Sequence, residues 1–298
     1  MTVNVLMSTY NGERYVEEQI KSILGQKNVD VDLLVRDDGS SDSTLDILDA
    51  GKENGILHWY KGCNLGPAYS FLDLLAHSSS DADYYAFSDQ DDFWLPEKLS
   101  VAAEMLSAAG NSPALYFSRT QMTDAELHPT SIVEIDPLLS FGESLVYEFI
   151  PGCTMVMNHT LRDIVNQYRP AYLPMHDVWV YSVALAIGAK VFFDKEPHIL
   201  YRQHANNTIG QGYSMWHEWK RKWNRFANSE HSRSRRAIEI KTGYKHLMND
   251  ANLGLLNDFI EARKHFDKRM LLCIDNRLNC ARWSTRQLFR VALLLNSY

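Results

Sequence analysis

The sequence FSDQDDFWLP, which runs from Phe87 to Pro96, says most about the fold of this chain. It contains three carboxylates, Asp89, Asp91 and Asp92, at the end of a segment that is typical of a buried strand. Carboxylates this close repel one another and raise one another's pKa, unless a bound cation reverses the effect. The pattern therefore predicts a divalent metal site. The alternative is that Asp92 only caps the next helix, but a cap does not need three acids.

The acids lie between a predicted strand and a predicted helix. Residues 82–87 have a strand pattern, and a helix is predicted to begin at Pro96. The acids are then on a strand-to-helix loop at the carboxyl end of a sheet, which is where open α/β folds bind their ligands.

The first half of the chain alternates strand and helix patterns, as expected for a mainly parallel sheet covered on both faces. The predicted strands are residues 3–8, 31–35, 56–60, 82–87 and 114–117, and the predicted helices are residues 14–24, 43–48, 67–76 and 96–108. A strand at 154–157 and a helix at 178–187 follow, and only helices are predicted after residue 212. The predicted fold class is α/β with a C-terminal helical extension.

The net charge of the chain changes sign near residue 212, where the predicted helical extension begins. The 298 residues are enough for one large α/β domain with an appendage, and their formal net charge is −7. Residues 1–212 hold 13 Lys and Arg against 29 Asp and Glu, whereas residues 213–298 hold 17 against 8. We therefore predict an acidic domain over 1–212 and a basic helical extension over 213–298, which meet different surroundings.

The four cysteines form no CxxC pair and have no spacing typical of metal ligands. The N-terminus lacks the pattern of a signal sequence, and no apolar run approaches the roughly 20 residues of a membrane-spanning helix. These features predict a cytoplasmic protein with reduced thiols.

Polar loops also follow the first three predicted strands. In the first, STYNG, Tyr10 is suited to stack on a nucleobase and Gly12 lets the backbone approach a ligand, although plain turns have the same composition. In the second, Asp37 and Asp38 are suited to accept hydrogen bonds from a base or a ribose; the alternative is a helix cap with a tight turn. The third, residues 64–67, is also ordinary turn material. Together the loops predict a nucleotide site.

The phosphates of such a nucleotide need a binding group other than the common glycine-rich loops, because neither GxxxxGK[ST] nor GxGxxG occurs in the chain. A metal ion, Mg²⁺ or Mn²⁺, on Asp89 and Asp91 would bridge the protein to a diphosphate and neutralise the charge that builds as the diphosphate leaves. The expected donor is therefore a nucleotide diphosphate compound.

A later segment, PMHDVW, supplies a candidate general base. Asp177 opens a predicted helix, and Trp179 is expected to form an apolar wall that raises the pKa of the carboxylate. The alternative is that Asp177 is only a helix N-cap. Gly152 and Cys153, in the turn PGCT, are expected to line an acceptor pocket together with His176 and Trp179.

The segment YRQHANNT, residues 201–208, groups side chains suited to a diphosphate. Arg202 is expected to contact the donor, and His204 is expected to join Asp89 and Asp91 as a metal ligand. A structural role for this histidine is the alternative.

The order of these motifs resembles the family 2 glycosyltransferases, which have a GT-A fold. The segments STYNG, DDGSSD, NLG and DQDDFWLPEKL carry the resemblance, which covers about residues 3–210. The DQDDxW form, followed by HD and YRQH, is similar to the bacterial rhamnosyltransferase branch. In two departures, His-Asp at 176–177 replaces the common Glu-Asp, and YRQH matches the QxxRW of processive synthases only loosely.

The resemblance implies a role for each motif. It implies that Asp89 and Asp91 form the metal site and that Asp177 stands at the position of the catalytic base. The predicted donor-binding residues are Thr9, Tyr10, Asn11, Asp37, Asp38, Asn64, Asp89 and Arg202. The loose match to QxxRW argues against a processive polymer synthase.

The predicted reaction is the transfer of a sugar, with inversion, from a nucleotide-diphospho-sugar donor to a hydroxyl of a saccharide acceptor. L-Rhamnose from dTDP-rhamnose is favoured, and a UDP-hexose is the main alternative, because neither composition nor spacing identifies the sugar. The acceptor is expected to be linked to a polyprenyl diphosphate in the synthesis of bacterial cell-surface polysaccharide. A non-catalytic sugar binder and a receiver-like phosphoryl acceptor are further hypotheses, which the acids at 89, 91 and 177 and the chain length disfavour.

The basic extension begins with an aromatic stripe, Trp216, Trp219, Trp223 and Phe226, interleaved with Lys and Arg. Such a stripe is typical of a helix on an anionic membrane surface. The alternative is that it packs on the acidic domain or on a second subunit, as in a homodimer. No nucleic-acid-binding motif accompanies the positive charge, so no nucleic acid is expected. The prediction is a cytoplasmic protein that contacts the inner face of the plasma membrane.

Overall fold

The computed structural model describes residues 1–134, 136–147, 150–204 and 231–298. Its strands are β1 (Thr2–Thr9), β2 (Asp30–Asp37), β3 (His58–Lys61), β4 (Tyr84–Ser88), β5 (Phe93–Trp94), β6 (Ala114–Ser118), β7 (Gln121–Thr123), β8 (Pro129–Ile132), β9 (Val156–Asn158), β10 (Lys190–Asp194) and β11 (Ile199–Arg202). Its α-helices are α1 (Val16–Leu24), α2 (Thr44–Glu53), α3 (Gly66–Ala76), α4 (Lys98–Ser107), α5 (Phe141–Val146), α6 (His159–Asn166), α7 (His176–Ala186), α8 (Ser232–Tyr244), α9 (Asp250–Glu261), α10 (Phe266–Ile274) and α11 (Trp283–Leu294). The aromatic stripe and the predicted boundary at residue 212 lie outside the described residues.

A seven-stranded sheet forms the centre of the described structure, in the order β10-β6-β9-β4-β1-β2-β3. Its strands are parallel except β9, which is antiparallel to β4 and β6. Alternate residues of β1 enter different apolar clusters, with Leu6 in one and Val5 in the other. The sheet is therefore buried on both faces, as is typical of parallel strands. The predicted α/β class with a mainly parallel sheet is confirmed.

The predicted strand at 154–157 is shorter in the structure. Residues Gly152–Thr154 form a 3-10 turn, in which the N–H and the hydroxyl of Thr154 both donate to the carbonyl oxygen of Pro151, at 3.1 and 2.8 Å. The strand therefore begins only at Val156. This turn lies beside the first residues of α7, so it helps to position the candidate base.

A second sheet, in the order β5-β11-β7-β8, was not predicted. The two-residue strand β5 leaves the acidic loop and pairs antiparallel with β11, with Trp94 opposite Ile199. Helix α4 begins at Lys98, and Glu97 occupies its N-cap position. The alternative that Asp92 caps this helix is therefore wrong. The pairing of β5 with β11 brings the YRQH segment next to the acidic loop.

The described C-terminal helices pack on the α/β region instead of forming a detached appendage. Tyr244 of α8 contacts Trp179 of α7, with ring centroids 5.9 Å apart. The buried C-terminal residue Tyr298 packs on Phe259 in the same apolar cluster, which reaches Phe87 on β4. A single continuous core thus joins the two predicted parts. Among the described helices, none has the length and hydropathy needed to cross a membrane.

Candidate active site

Three loops meet at the carboxyl edge of the large sheet. Strand register puts Thr9 beside Asp37 and Met7 beside Ser88, so the loops after β1, β2 and β4 leave the sheet side by side. Their polar residues therefore lie at the edge where ligands bind in folds of this class.

Two hydrogen bonds join the loop after β1 to the acidic loop. The backbone N–H of Tyr10 donates to Oε1 of Gln90 at 2.9 Å, and Nε2 of Gln90 donates to the carbonyl oxygen of Tyr10 at 3.0 Å. The Tyr10 side chain remains 49% exposed. Gln90 thus fixes the backbone of the first loop while its tyrosine stays accessible for stacking on a base.

The carboxylate of Asp37 faces the protein interior. It accepts hydrogen bonds from the N–H groups of Gly39 (3.0 Å) and Ser40 (2.8 Å) and from the hydroxyl of Thr9 (3.1 Å). Thr9 and Asp37 are both fully buried. Asp37 is therefore the acceptor that closes a local turn. Contact of Thr9 and Asp37 with the donor stays a prediction.

Asp38 is buried in the same way and holds the third loop. Its carboxylate accepts from the N–H groups of Leu65 (2.8 Å) and Gly66 (2.9 Å) and pairs with Arg36. Direct contact of Asp38 with the donor also stays a prediction. Asn64, at the tip of this loop, is exposed, as is Asn11 in the first loop. The accessible predicted donor residues on these loops are therefore Tyr10, Asn11 and Asn64.

The acidic loop holds its charges at close range. Burial and the charges of Asp91 and Asp177 raise the pKa of Asp89 to about 7. Burial and the charges of Asp91 and Asp89 raise the pKa of Asp92 well above its usual range. Ligand atoms of Asp89, Asp92 and Cys153 lie within 4.8 Å of one another. A set of carboxylates that oppose each other's ionisation fits a divalent cation.

The predicted metal ligands Asp91 and His204 are also in contact. Nε2 of His204 lies 2.8 Å from Oδ2 of Asp91, and the imidazole stacks on Tyr15 with ring centroids 5.0 Å apart. Asp89 is near enough for the charge of Asp91 to raise its pKa. Among the described residues, Asp89, Asp92 and Cys153 form the compact ligand group, which we call the inward group. Asp91 and His204 contact each other nearer the surface, on the outward side.

Cys153 and Lys98 lie beneath the acidic loop and are both buried. Burial, followed by the charges of Asp92 and Asp89, raises the pKa of Cys153 well above its usual range. Nζ of Lys98 lies 3.6 Å from the centroid of the Trp94 ring, and burial lowers its pKa to about 7. Cys153 thus belongs to an interior cluster, and its expected place in an acceptor pocket stays a prediction.

Arg202 supports the acidic loop from behind. Its Nε donates to the carbonyl oxygen of Asp91 at 2.9 Å, its Nη2 pairs with Glu18, and its guanidinium lies 4.5 Å from the centroid of Tyr15. The residue is only 3% exposed. The guanidinium thus holds the loop that carries Asp91, and its expected contact with the donor stays a prediction.

Asp177 lies close to the acidic loop, near enough for its charge to raise the pKa of Asp89. Burial raises the pKa of Asp177 itself to about 7, although the N–H of Val178 donates to Oδ1 at 2.6 Å. Met175 occupies the N-cap of α7, so the alternative of Asp177 as N-cap is wrong. The chain therefore brings two carboxylates from distant segments, both with a pKa near neutrality, into one site.

Gly152 and His176 border the same carboxylate. A Cβ at Gly152 would lie 2.7 Å from Nε2 of His176 and 3.3 Å from Oδ2 of Asp177. The imidazole of His176 stacks on Phe71 with centroids 4.0 Å apart, and burial lowers its pKa to about 3. His176 is therefore neutral at physiological pH. Both residues are buried beside Asp177, and their role in an acceptor pocket stays a prediction.

Trp179 lies elsewhere, which corrects the apolar-wall prediction. It is fully buried and packs on Tyr168 and Tyr244, at centroid distances of 6.4 and 5.9 Å. Side chains two residues apart on a helix do not face each other, so Trp179 points away from Asp177. The Asp177 side chain is instead buried beside the backbone of Gly152.

The comparison with known families agrees with this site. A profile described as "Glycosyl transferase family 2" matches residues 4–165, which carry all the loops of the carboxyl edge. The chain belongs to this family. The motif resemblance is thereby confirmed.

Two curated glycosyltransferases are similar to this chain. It is 32% identical over 229 residues to the dTDP-rhamnosyl transferase RfbG of Shigella flexneri, covering 72% of this chain and 77% of that protein. It is 23% identical over 211 residues to the UDP-Glc:alpha-D-GlcNAc-diphosphoundecaprenol beta-1,3-glucosyltransferase WfaP of Escherichia coli, covering 69% and 79%.

Two solved structures of glycosyltransferases have the same fold. TarS 1-349 of S. aureus in complex with UDP-GlcNAc has a TM-score of 0.61 at 15% identity and covers 100% of this chain and 82% of that one. The mannosyltransferase PcManGT of Pyrobaculum calidifontis, in complex with GDP-Man and Mn²⁺, has a TM-score of 0.53 at 17% identity and covers 99% and 85%. The predicted GT-A fold is confirmed.

Sequence reasoning missed three features of this family 2 site. Gln90 stood inside the decisive motif, but only the structure reveals that it holds Tyr10. Lys98 has the pattern of an ordinary residue in the first turn of a helix, so nothing in the sequence marked it. Cys153 follows a glycine in a turn, which signalled close approach but not burial beside Asp92.

Proposed function

We propose that this chain is an inverting glycosyltransferase that moves L-rhamnose from dTDP-rhamnose to a hydroxyl of a saccharide acceptor. The observation that carries the proposal is the proximity of Asp177 to Asp89, each with a pKa of about 7. A carboxylate with that pKa is suited to take a proton from a hydroxyl near neutral pH. The name of the Shigella flexneri relative supports rhamnose as the sugar.

Asp177 is the proposed general base. Its carboxylate takes the proton of the acceptor hydroxyl, the acceptor oxygen bonds to the anomeric carbon, and the bond from that carbon to the diphosphate oxygen breaks. Direct displacement of this kind inverts the configuration. Gly152 packs directly against both neighbours, since a Cβ there would lie 3.0 Å from Cβ of Asp177 and 2.7 Å from Nε2 of His176. The neutral His176 adds no charge beside the carboxylate.

The proposed cofactor is Mg²⁺ or Mn²⁺. Asp89, Asp91 and His204 would hold it on the outward side, while Lys98 lies near Asp92 and Cys153 on the inward side. The ion supplies neutralisation of the negative charge on the departing diphosphate. The Mn²⁺ complex of the Pyrobaculum calidifontis enzyme supports this choice. Tyr10, Asn11 and Asn64 would contact the nucleoside.

The proposed acceptor is a saccharide on a polyprenyl diphosphate, in the synthesis of a cell-surface polysaccharide. The diphosphoundecaprenol in the name of the Escherichia coli relative supports such a carrier. The enzyme would then work in the cytoplasm, at the inner face of the plasma membrane. The alternative is that the C-terminal helices form the interface of a homodimer.

A donor screen tests the proposal. Thermal unfolding is measured with dTDP-rhamnose, UDP-glucose and UDP-galactose, each with Mn²⁺ and with EDTA. A ligand that binds the native state raises the melting temperature, so dTDP-rhamnose with Mn²⁺ should give the largest shift. A larger shift with UDP-glucose would favour the second candidate, a UDP-hexose transferase, which the name of WfaP supports. Equal shifts of the melting temperature with Mn²⁺ and with EDTA would mean that donor binding does not need the metal.

A further inference from the structure

Helix α10 turns its apolar side to the solvent. Phe266 is 59% exposed, Met270 48%, Leu271 64% and Ile274 73%, whereas Leu272 is the buried residue of the helix. Positions 266, 270 and 274 repeat every four residues and therefore share one side of the helix. An ordinary surface helix turns this side to the core. The exposed side of α10 thus needs a partner outside the described structure.

Helix α11 lies against α10 and adds to the exposed apolar surface. Sγ of Cys273 in α10 is 3.7 Å from the carbonyl oxygen of Arg290 in α11. Trp283, at the start of α11, is 72% exposed, and Leu295, just after its end, is 64% exposed. We call these exposed side chains the α10–α11 surface: Phe266, Met270, Leu271, Ile274, Trp283 and Leu295.

The charge around this surface is strongly positive. Residues 262–298 hold 8 Lys and Arg but only 2 Asp and Glu, whereas residues 1–204 hold 13 against 29. Lys264 and Arg282 are among the exposed cations, whereas the exposed Arg277 pairs with Asp258 and Asp275. Pairing of this surface with the same surface of a second copy would bring like charges together, which is unfavourable. An anionic lipid surface satisfies both the apolar side chains and the cations.

We propose that the α10–α11 surface binds an anionic membrane, with α10 lying in the plane of the interface. The apolar side chains enter the boundary between headgroups and acyl chains, and the cations contact the headgroup phosphates. Trp283 suits the headgroup level, where its ring is half apolar and half polar. The link to catalysis rests on the proposed lipid-linked acceptor, but the binding itself does not depend on it.

Vesicle flotation of the full chain tests this inference. Phosphatidylglycerol and phosphatidylcholine vesicles (about 3:7) are compared with pure phosphatidylcholine, at low and high salt. The wild type should float with the anionic vesicles at low salt and be released in part at high salt, because surface charge is screened. Leu271→Glu with Ile274→Glu should lower the partition coefficient at least about tenfold, since two charges replace two inserted side chains.

The matched control adds the same two charges to the α/β region. Ile56 and Ile132 are 43% and 45% exposed, and Ile56→Glu with Ile132→Glu should leave flotation unchanged. Equal loss in both double variants would overturn the inference. The inference would also be overturned if the wild type did not float at low salt. It would be overturned as well if light scattering showed a wild-type dimer that the α10 double variant separates into monomers.

Donor stabilisation distinguishes this inference from the proposed function. The α10 double variant should keep the wild-type thermal shift with donor and Mn²⁺, because its substitutions lie outside the loops of the carboxyl edge. If the chain floats but no donor raises its melting temperature, the membrane inference holds and the proposed function is wrong. If a donor raises the melting temperature but the chain does not float, the proposed function holds and the membrane inference is wrong.

Discussion

Gly12 and Gln90 fit together because position 12 has no Cβ, which would lie 2.2 Å from Oε1 of Gln90. The same oxygen accepts the N–H of Tyr10, and the amide nitrogen returns a hydrogen bond to the Tyr10 carbonyl. The loop that presents the exposed Tyr10 is therefore fixed to the loop that carries the acids. A ligand that spans the two loops meets a site that is already assembled, which lowers the cost of ordering it.

Gln90→Ala should weaken donor binding. Each hydrogen bond contributes about 0.5–1.5 kcal/mol, so loss of both predicts roughly a 5- to 100-fold rise in the Kd of the nucleotide, measured by calorimetry. Gly12→Ala should act in the same direction, because its Cβ displaces the amide. The double variant should be little worse than either single one, since both break the same contact.

The control is Gln121→Ala, whose amide also makes two hydrogen bonds, to the carbonyl oxygens of Met122 and Ser131 in the small sheet. It should leave the nucleotide Kd unchanged. Additive effects of the Gly12 and Gln90 substitutions would mean that the two residues do not act through one contact.

Asp177→Asn should separate binding from turnover. An amide keeps the shape of the side chain but takes up no proton, so turnover should fall about 10²–10⁴-fold. The Kd of the donor should change less than about twofold, as Asp177 is assigned to the acceptor. Asp46→Asn, on the exposed side of α2, is the control and should behave as wild type. Lost donor binding with unchanged turnover of bound donor would contradict the assignment.

The same variant should be more stable than wild type at high pH. The pKa of Asp177 rises from 3.8 to about 7 on folding, so the folded state holds the proton more tightly. The resulting stability is complete below pH 4 and is lost as the pH rises to about 7. In EDTA at pH 8, Asp177→Asn should raise the melting temperature by several degrees, and at pH 4 the difference should vanish. A lower melting temperature at pH 8 would contradict the buried carboxylate.

Metal affinity should identify the ligand set. Asp91→Asn and His204→Gln should each weaken Mn²⁺ binding at least about tenfold, measured by electron paramagnetic resonance of free Mn²⁺. Cys153→Ser should leave it nearly unchanged, because a hard cation does not need the thiolate. The opposite result, with Cys153 essential and His204 dispensable, would assign the metal to the inward group of Asp89, Asp92 and Cys153.

The sequence predicted the part of the fold that depends on local pattern. Strands β1 and β4 are mostly apolar because they are buried on both faces, β2 has an apolar centre at residues 33–35, and the acids and glycines after these strands mark the carboxyl edge. Strand β9 was predicted at 154–157 but begins only at Val156. Strand β5 has only two residues and pairs with a distant segment, so no periodicity identifies it.

The sequence identified the residues of the candidate site better than it identified the role of each residue. Asp89 and Asp177 were found from local signals and are close together in the structure. Asp37, Asp38 and Arg202 were predicted to bind the donor, but the sequence did not show that each also holds backbone groups within the protein. A polar residue type tells what a side chain can bind, whereas burial decides what it does bind.

The most direct test of the account is the pH dependence of donor hydrolysis, in which water replaces the acceptor. The release of dTDP from saturating dTDP-rhamnose, with Mn²⁺, is followed between pH 5.5 and 8.5 in wild type and in Asp177→Asn. The wild-type rate should fall about tenfold per pH unit below pH 7, as the carboxylate of Asp177 becomes protonated. The variant should be slower by about 10² or more at pH 8, without that fall. A variant with the wild-type rate and pH profile would contradict Asp177 as the base.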